Sequence, residues 1–249
     1  MRFYHLVVIF ISGCLMSFST AYALPVAFSA DYKGSKYLFG KARATITLSR
    51  QGNYYLYTMR SNIRFLWYRN KVFDCSVMQI VNNTLRPLEH LHYESYDDKY
   101  NIKTRFDWEQ GVANADFLGR GQKVTLNIEG DAWDTMSIQV KLMHDVMNQQ
   151  LNAGDKYQVV QLGKMLDWNI AAVNNVTSQI NGKSLSAVSV KADFKDESTT
   201  LWFSSQHHFL PVQMLVNDVL VEIVSDPDSA QVQTPEHALH SEVVPSCKV

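Results

Sequence analysis

Along most of the chain the apolar positions recur every second residue. In residues 41–48, Ala42, Ala44, Ile46 and Leu48 share one face, and Lys41, Arg43, Thr45 and Thr47 share the other. That is the pattern of a half-buried strand. Residues 53–61 are rich in aromatic and β-forming side chains and follow a Gln51-Gly52-Asn53 turn, which predicts a hairpin with the preceding segment. Alternation returns over 88–96, where Leu91 and Tyr93 oppose His90, His92 and Glu94. Further strands are predicted at 101–108, 112–118 and 123–128, separated by turns at Glu109-Gln110-Gly111 and Gly119-Arg120-Gly121.

Residues 131–151 break this rhythm. Trp133, Met136, Val140, Met143 and Met147 fall at alternating spacings of three and four, an apolar stripe on a helix. Asp131 is the expected N-cap and Gly154 the expected stop. Strands resume at 157–162, 166–176, 185–194, 199–204, 212–216 and 219–224, with Asn217-Asp218 as a tight turn between the last two. From Asp226 the chain becomes polar and carries Pro227, Pro235 and Pro245, which reads as an extended tail over 226–249. Strands linked this closely imply an antiparallel meander. The expected fold is mainly β: a curved antiparallel sheet or half-barrel of about ten to twelve strands, with one interior helix on its concave face. No linker divides residues 24–225, which are expected to form a single domain.

Composition narrows the classes. The chain has 249 residues, 46% hydrophobic and 19% charged, which excludes intrinsic disorder. With 23 Lys+Arg against 24 Asp+Glu the formal charge is −1, so no nucleic-acid partner is expected. The start of the chain reads as an address. Arg2 precedes an apolar run over 6–18, and Ala21-Tyr22-Ala23 offers a small-x-small cleavage site. That run is shorter than the roughly 20 residues of a membrane span, and no later segment is longer, so the mature chain is expected to be periplasmic, without a transmembrane segment. Ile11-Ser12-Gly13-Cys14 also reads as a lipobox, with Cys14 as an alternative lipidated start. Cleavage after Ala23 leaves two cysteines, Cys75 and Cys247, and an even count in an oxidising compartment suggests a disulfide.

At this point several short motifs and their order are informative. Phe28-Ser29-Ala30-Asp31-Tyr32 leads to Phe39-Gly40-Lys41-Ala42-Arg43-Ala44. Leu85-Arg86-Pro87-Leu88, Thr104-Arg105-Phe106-Asp107-Trp108, Leu201-Trp202-Phe203-Ser204 and Phe209-Leu210-Pro211-Val212 follow. This order resembles an exported bacterial family known as domain of unknown function 3108, over about residues 28–224. The resemblance implies a periplasmic β-rich protein of Gram-negative bacteria, similar in architecture to the half-barrels that carry lipoproteins between bacterial membranes. It brings no catalytic residues. Where that family tends to an Asp-Pro-Leu-Ser-like run, this chain has Asp134-Thr135-Met136-Ser137, which leaves the start of the helix open.

No catalytic signature emerges from the residues themselves. There is no Gly-x-Ser-x-Gly elbow and no glycine-rich phosphate loop, and Cys75 has only Asp74 beside it. Asp97-Asp98 and Asp196-Glu197 read as loop charges. His90, His92 and Glu94 share a strand face but sit about 7 Å apart, too far to share a metal readily, so they are expected on a solvated face. His207-His208 adjoin a turn, and His237 and His240 lie in the tail. No metal, cofactor or enzymatic activity is expected. Tyr54, Tyr55, Tyr57, Phe65, Trp67 and Tyr68, with Met165, Met214 and the helix methionines, would suit an adaptable apolar lining. The expected ligand is a lipid or lipoprotein acyl chain, lined by Trp133, Met136, Val140, Met143, Met147, Trp67 and Phe65. The same side chains are also ordinary core material. The alternative is a cell-envelope interaction protein with a filled core, docking on an envelope protein through Phe65-Leu66-Trp67-Tyr68.

Overall fold

The alternation of residues 41–48 lies in a strand of twelve residues, Gly40–Gln51, one of fifteen among the described residues, all in a single sheet. The computed structural model describes residues 23–36, 40–65, 67–195, 197–216, 218–230 and 244–248. The export signal read at 1–23 therefore falls almost wholly outside the described residues, as do Leu66, His237, His240 and the side chain of Phe65. The first strands are β1 (Phe28–Lys36), β2 (Gly40–Gln51), β3 (Tyr54–Phe65), β4 (Tyr68–Val81) and β5 (Thr84–Glu94). Then come β6 (Ile102–Asp107), β7 (Val112–Phe117), β8 (Gln122–Asn127) and a short β9 (Ala132–Asp134). Helix α1 (Ser137–Met147) follows, then β10 (Lys156–Gln161), β11 (Lys164–Ile180), β12 (Lys183–Phe194), β13 (Glu197–Ser204), β14 (Leu210–Val216) and β15 (Val219–Ile223).

Each strand pairs antiparallel with its chain neighbour, save that β8 and β9 do not pair and β9 and β10 run parallel. The first strand pairs with the last, so β1 and β15 sit in mid-sheet and the two edges are β8 and β9. Those edges are only residues 128–131 apart in the chain. A sheet whose edges are chain neighbours has to curl round on itself. It remains unclosed, and its seam is apolar: Phe106, Ala113, Ala132 and Val160 pack across it. Gly163, at a φ of +68°, lets the β10–β11 turn approach the Phe117 ring where a Cβ would meet that ring at 2.9 Å.

Three strands exceed the expected dozen. β4 shows no alternation because both its faces are covered. Phe73, Cys75 and Val77 point to the convex side, and Asn70, Asp74, Ser76 and Met78 point inward. β9 is only three residues long, and β1 carries its inward pattern through Phe28, Ala30 and Tyr32. The helix is shorter than 131–151. Trp133 belongs to β9, and Asp134 does the capping expected of Asp131: its Oδ1 accepts the N–H groups of Met136 and Ser137 at 2.9 and 2.8 Å. The helix stops at Asn148, well before Gly154. It is buried on nearly every face, Ser137, Ile138, Leu142 and Asp145 included, because it runs inside the barrel.

The tail is not wholly loose. Cys247 is bonded to Cys75, and the convex cluster of Phe73, Cys75, Val77 and Leu91 includes it. The Cys247 N–H donates to Glu89 at 3.2 Å.

Candidate functional site

Side-chain size along each strand divides the barrel lengthwise. On β2, Ile46 and Leu48 enter the packed core around α1, whereas Ala42 and Ala44 face open space. On β1 the same step separates Tyr32 from Gly34, and on β3 it separates Tyr57 from Met59, Ser61 and Ile63. The result is a cavity of about 580 Å³ at the end of the barrel holding the β1–β2, β3–β4 and β14–β15 turns. Val216, Leu162 and Tyr100 are exposed at its mouth. Its floor is the entry to α1: Thr135, Met136 and Gln139.

One wall is polar, for a local reason. In β5 the register slips between the pairs Val77–Glu89 and Met78–Pro87, leaving Leu88 as an extra residue. Such a bulge changes which parity faces inward. Leu85 and Pro87 face in before it; His90, His92 and Glu94 face in after it. The histidine face expected in solvent is therefore the cavity wall, and His90 is only 5% exposed. Leu91 and Tyr93 turn instead to the convex side, under the Cys247 segment.

Asp74 joins the two imidazoles. His92 Nδ1 lies 2.7 Å and His90 Nε2 3.7 Å from its Oδ1. Burial alone would raise the Asp74 carboxyl, but its hydrogen bonds to His90 and His92 and their charge hold it below the usual carboxylate range. Burial pulls His90 down, yet the negative charge of Asp134 and the contact with Asp74 outweigh it and push His90 above its ordinary value. Beneath them Asp134, fully buried, accepts the hydroxyls of Ser76 and Ser137, each at 2.8 Å.

This arrangement is poorly suited to nucleophilic catalysis. Thr135 Oγ1 lies 3.5 Å from His90 Nε2, the same nitrogen that faces Asp74. A relay needs the base and its orienting carboxylate on different ring nitrogens. Among the described residues no group of His, Cys, Asp and Glu has metal-binding geometry. A polar wall opposite Ala42, Ala44, Ile63 and Val221 can instead offer hydrogen bonds to one end of an otherwise apolar guest.

Of the residues expected to line a ligand site, Met136 lies on the cavity floor. Trp133, Val140 and Met143 are packed in the core, and Met147 is half-buried at the end of α1. Trp67 stands 89% exposed in the β3–β4 turn. Sequence reasoning passed over Gly34, Ala42 and Ala44 and put His90 on a solvated face, because small side chains and a bulge reveal a cavity only once the register is known. His207 receives or donates a 2.7 Å hydrogen bond with Ser204 in the β13–β14 turn, away from the cavity.

The pKa directions set a pH response. A raised His90 value stabilises the fold fully below its ordinary 6.5, and that contribution is lost as pH rises through the folded value. The lowered Asp74 value acts above its ordinary 3.8 and is lost as pH falls through the folded value. Stability is thus expected to rise from pH 8 to pH 6. His90→Gln should flatten that slope in thermal melts, and an unchanged slope would remove His90 from the account.

A family described as "Protein of unknown function (DUF3108)" matches residues 27–220. No curated protein matches the sequence. Among solved structures, the fold is similar to a β-barrel-like protein of domain of unknown function 1849 from Brucella abortus. The TM-score is 0.52 at 8% identity, covering 81% of this chain and 96% of that one.

Proposed function

The chain belongs to the domain of unknown function 3108 family, and we propose that it is an exported, non-enzymatic protein that holds a lipid or acyl chain in the open end of its barrel. One observation carries the reading: Gly34, Ala42 and Ala44 leave about 580 Å³ unfilled inside a mostly apolar wall, with a mouth at the surface. That volume lies in the range of small-molecule sites, about 300–1,000 Å³. A few hydrogen-bonding groups on one side, His90, His92 and Thr135, would orient the guest. Localisation in the periplasm rests on the signal anatomy at 1–23 and accords with a disulfide between Cys75 and Cys247.

Native mass spectrometry with solvent extraction, on protein purified from a periplasm, tests this. Lipid is expected at near one equivalent. Ala44→Trp, which puts an indole into the empty space, should lower lipid occupancy about ten-fold or more while leaving the melting temperature nearly unchanged. A wild-type protein that carries no lipid and takes up none from added fatty acid would sink the proposal. The reading would then pass to an envelope interaction protein, which the 89% exposure of Trp67 favours.

A further inference from the structure

The strand register assembles something that no stretch of sequence displays. On the convex face of β1–β4, Lys33, Arg43, Asn62 and Lys71 stand in one row across four strands. In the next row towards the cavity mouth, Lys41, Arg64 and Arg69 lie directly opposite one another. All six cations are exposed. Neighbouring strands are about 4.8 Å apart, and like charges facing across them repel. Among the described residues only Lys33 has an acidic partner, Glu222 at 4.0 Å; Lys41, Arg43, Arg64, Arg69 and Lys71 form no ion pair. The fold itself gains nothing from this clustering. Six basic residues thus gather on one face of a chain whose formal charge is −1, with Asp31 and Glu222 as the acidic residues beside them.

Trp67 sits at the tip of the same face, in the turn between Arg64 and Arg69, 89% exposed. Arg120, Lys164 and Lys195, against the one carboxylate of Glu197, give a net positive lining to a groove at the mouth end that shares Leu162 and Tyr100 with the cavity. An indole tip flanked by cations matches the interface of an anionic bilayer, where aromatic rings sit at headgroup depth and Lys and Arg meet acidic lipids. Nucleic acid fits less well: Asn62 lies among the cations, and the two adjoining rows, Asp31–Thr45–Arg60–Phe73 and Ser29–Thr47–Thr58–Cys75, carry a single aromatic ring, so bases find no row of rings on which to stack.

We propose that the convex face of β1–β4, with Trp67 at its tip, docks on an anionic lipid bilayer and so brings the cavity mouth to the membrane. The use of the docked state for lipid exchange rests on the function proposed above; the docking itself does not. The full chain would be mixed with vesicles of phosphatidylcholine alone, and with vesicles also containing phosphatidylglycerol, and separated by sedimentation. Binding is expected only to the anionic vesicles, and it should vanish in about 1 M salt, where the Debye length falls to about 3 Å. Each cation at such a surface is worth a factor of about five, so Arg64→Gln with Arg69→Gln should weaken binding about 25-fold, and the two Glu reversals about a hundred-fold or more. The neutral pair guards against a folding defect in the reversed pair. Trp67→Ser should cost about ten-fold. Equal binding to both vesicles, binding to neither, or anionic binding indifferent to Arg64 and Arg69 would each overturn docking, as would capture by RNA without capture by vesicles. Ala44→Trp should still bind vesicles. A lipid-loaded protein that ignores vesicles would refute docking alone, and a docking protein without lipid would refute the carrier reading alone.

Discussion

Asp134→Ala is expected to lower the melting temperature by about 10 °C or more. The side chain is fully buried and meets four donors: the hydroxyls of Ser76 and Ser137 and the N–H groups of Met136 and Ser137. Removing one partner from a buried charged network leaves the others unsatisfied, at a cost of about 3–5 kcal/mol. For a domain of this size each kcal/mol shifts the melting temperature by about 2–4 °C. Asp134→Asn should cost much less. Its Oδ1 still accepts the two backbone N–H groups, and the two hydroxyls can turn to accept from its Nδ2. The pair of substitutions therefore separates shape from hydrogen bonding. A second readout follows from charge. Asp134 helps raise His90, so Asp134→Asn should also flatten the gain in stability between pH 8 and pH 6. Thermal melts by circular dichroism at several pH values read both. An alanine variant melting within a degree or two of wild type would refute the network's role as the anchor of α1.

How much of this was legible in the sequence depends on what each signal required. Ala42 to Leu48 announced a strand and its inward face, because one face is buried and the other wet. The overall class, a curved antiparallel sheet with a helix inside, followed from such runs. β4 was missed for the converse reason: with Met78 inside and Cys75 outside both buried, alternation has nothing to report. Trp133 falls three residues before Met136 and so passed for the first turn of the helix, although β9 holds it. The candidate site depended on facts of register. His90 and Leu91 exchange faces because Leu88 is one residue too many for its partner strand. Nor do Lys33, Arg43 and Lys71 become a row until β1 to β4 are aligned. The cavity is a consequence of small residues at equivalent heights on separate strands, Gly34 beside Ala42, and no linear pattern encodes that.

Reduction of the Cys75–Cys247 bond is the other large effect expected. It links positions 172 residues apart, more than two thirds of the 249-residue sequence. In the chain-entropy treatment such a loop restricts the unfolded ensemble by about 5 kcal/mol, and observed values for native bonds run from about 2 to 5. There is also a packing consequence. Phe73, Val77 and Leu91 form an apolar patch on the convex side of β4 and β5, and Cys247 belongs to it. Released, the segment 244–248 is held only by contacts such as the Cys247 N–H to Glu89, and that patch meets water more often. The opposite side of the same strands carries Asp74, His90 and His92, so loosening β4–β5 should disturb the polar wall of the cavity as well. Cys75→Ser with Cys247→Ser should therefore melt about 6–15 °C below the oxidised wild type. The wild type in dithiothreitol should do the same, with no further change when the variant is treated. Truncation after residue 243 divides the two causes. If loop closure dominates, the truncated Cys75→Ser chain melts with the double variant; if cover of the patch dominates, it melts lower still. Identical melting of oxidised and reduced wild type would show that the tail neither restricts the unfolded chain nor shields the outer face of β4.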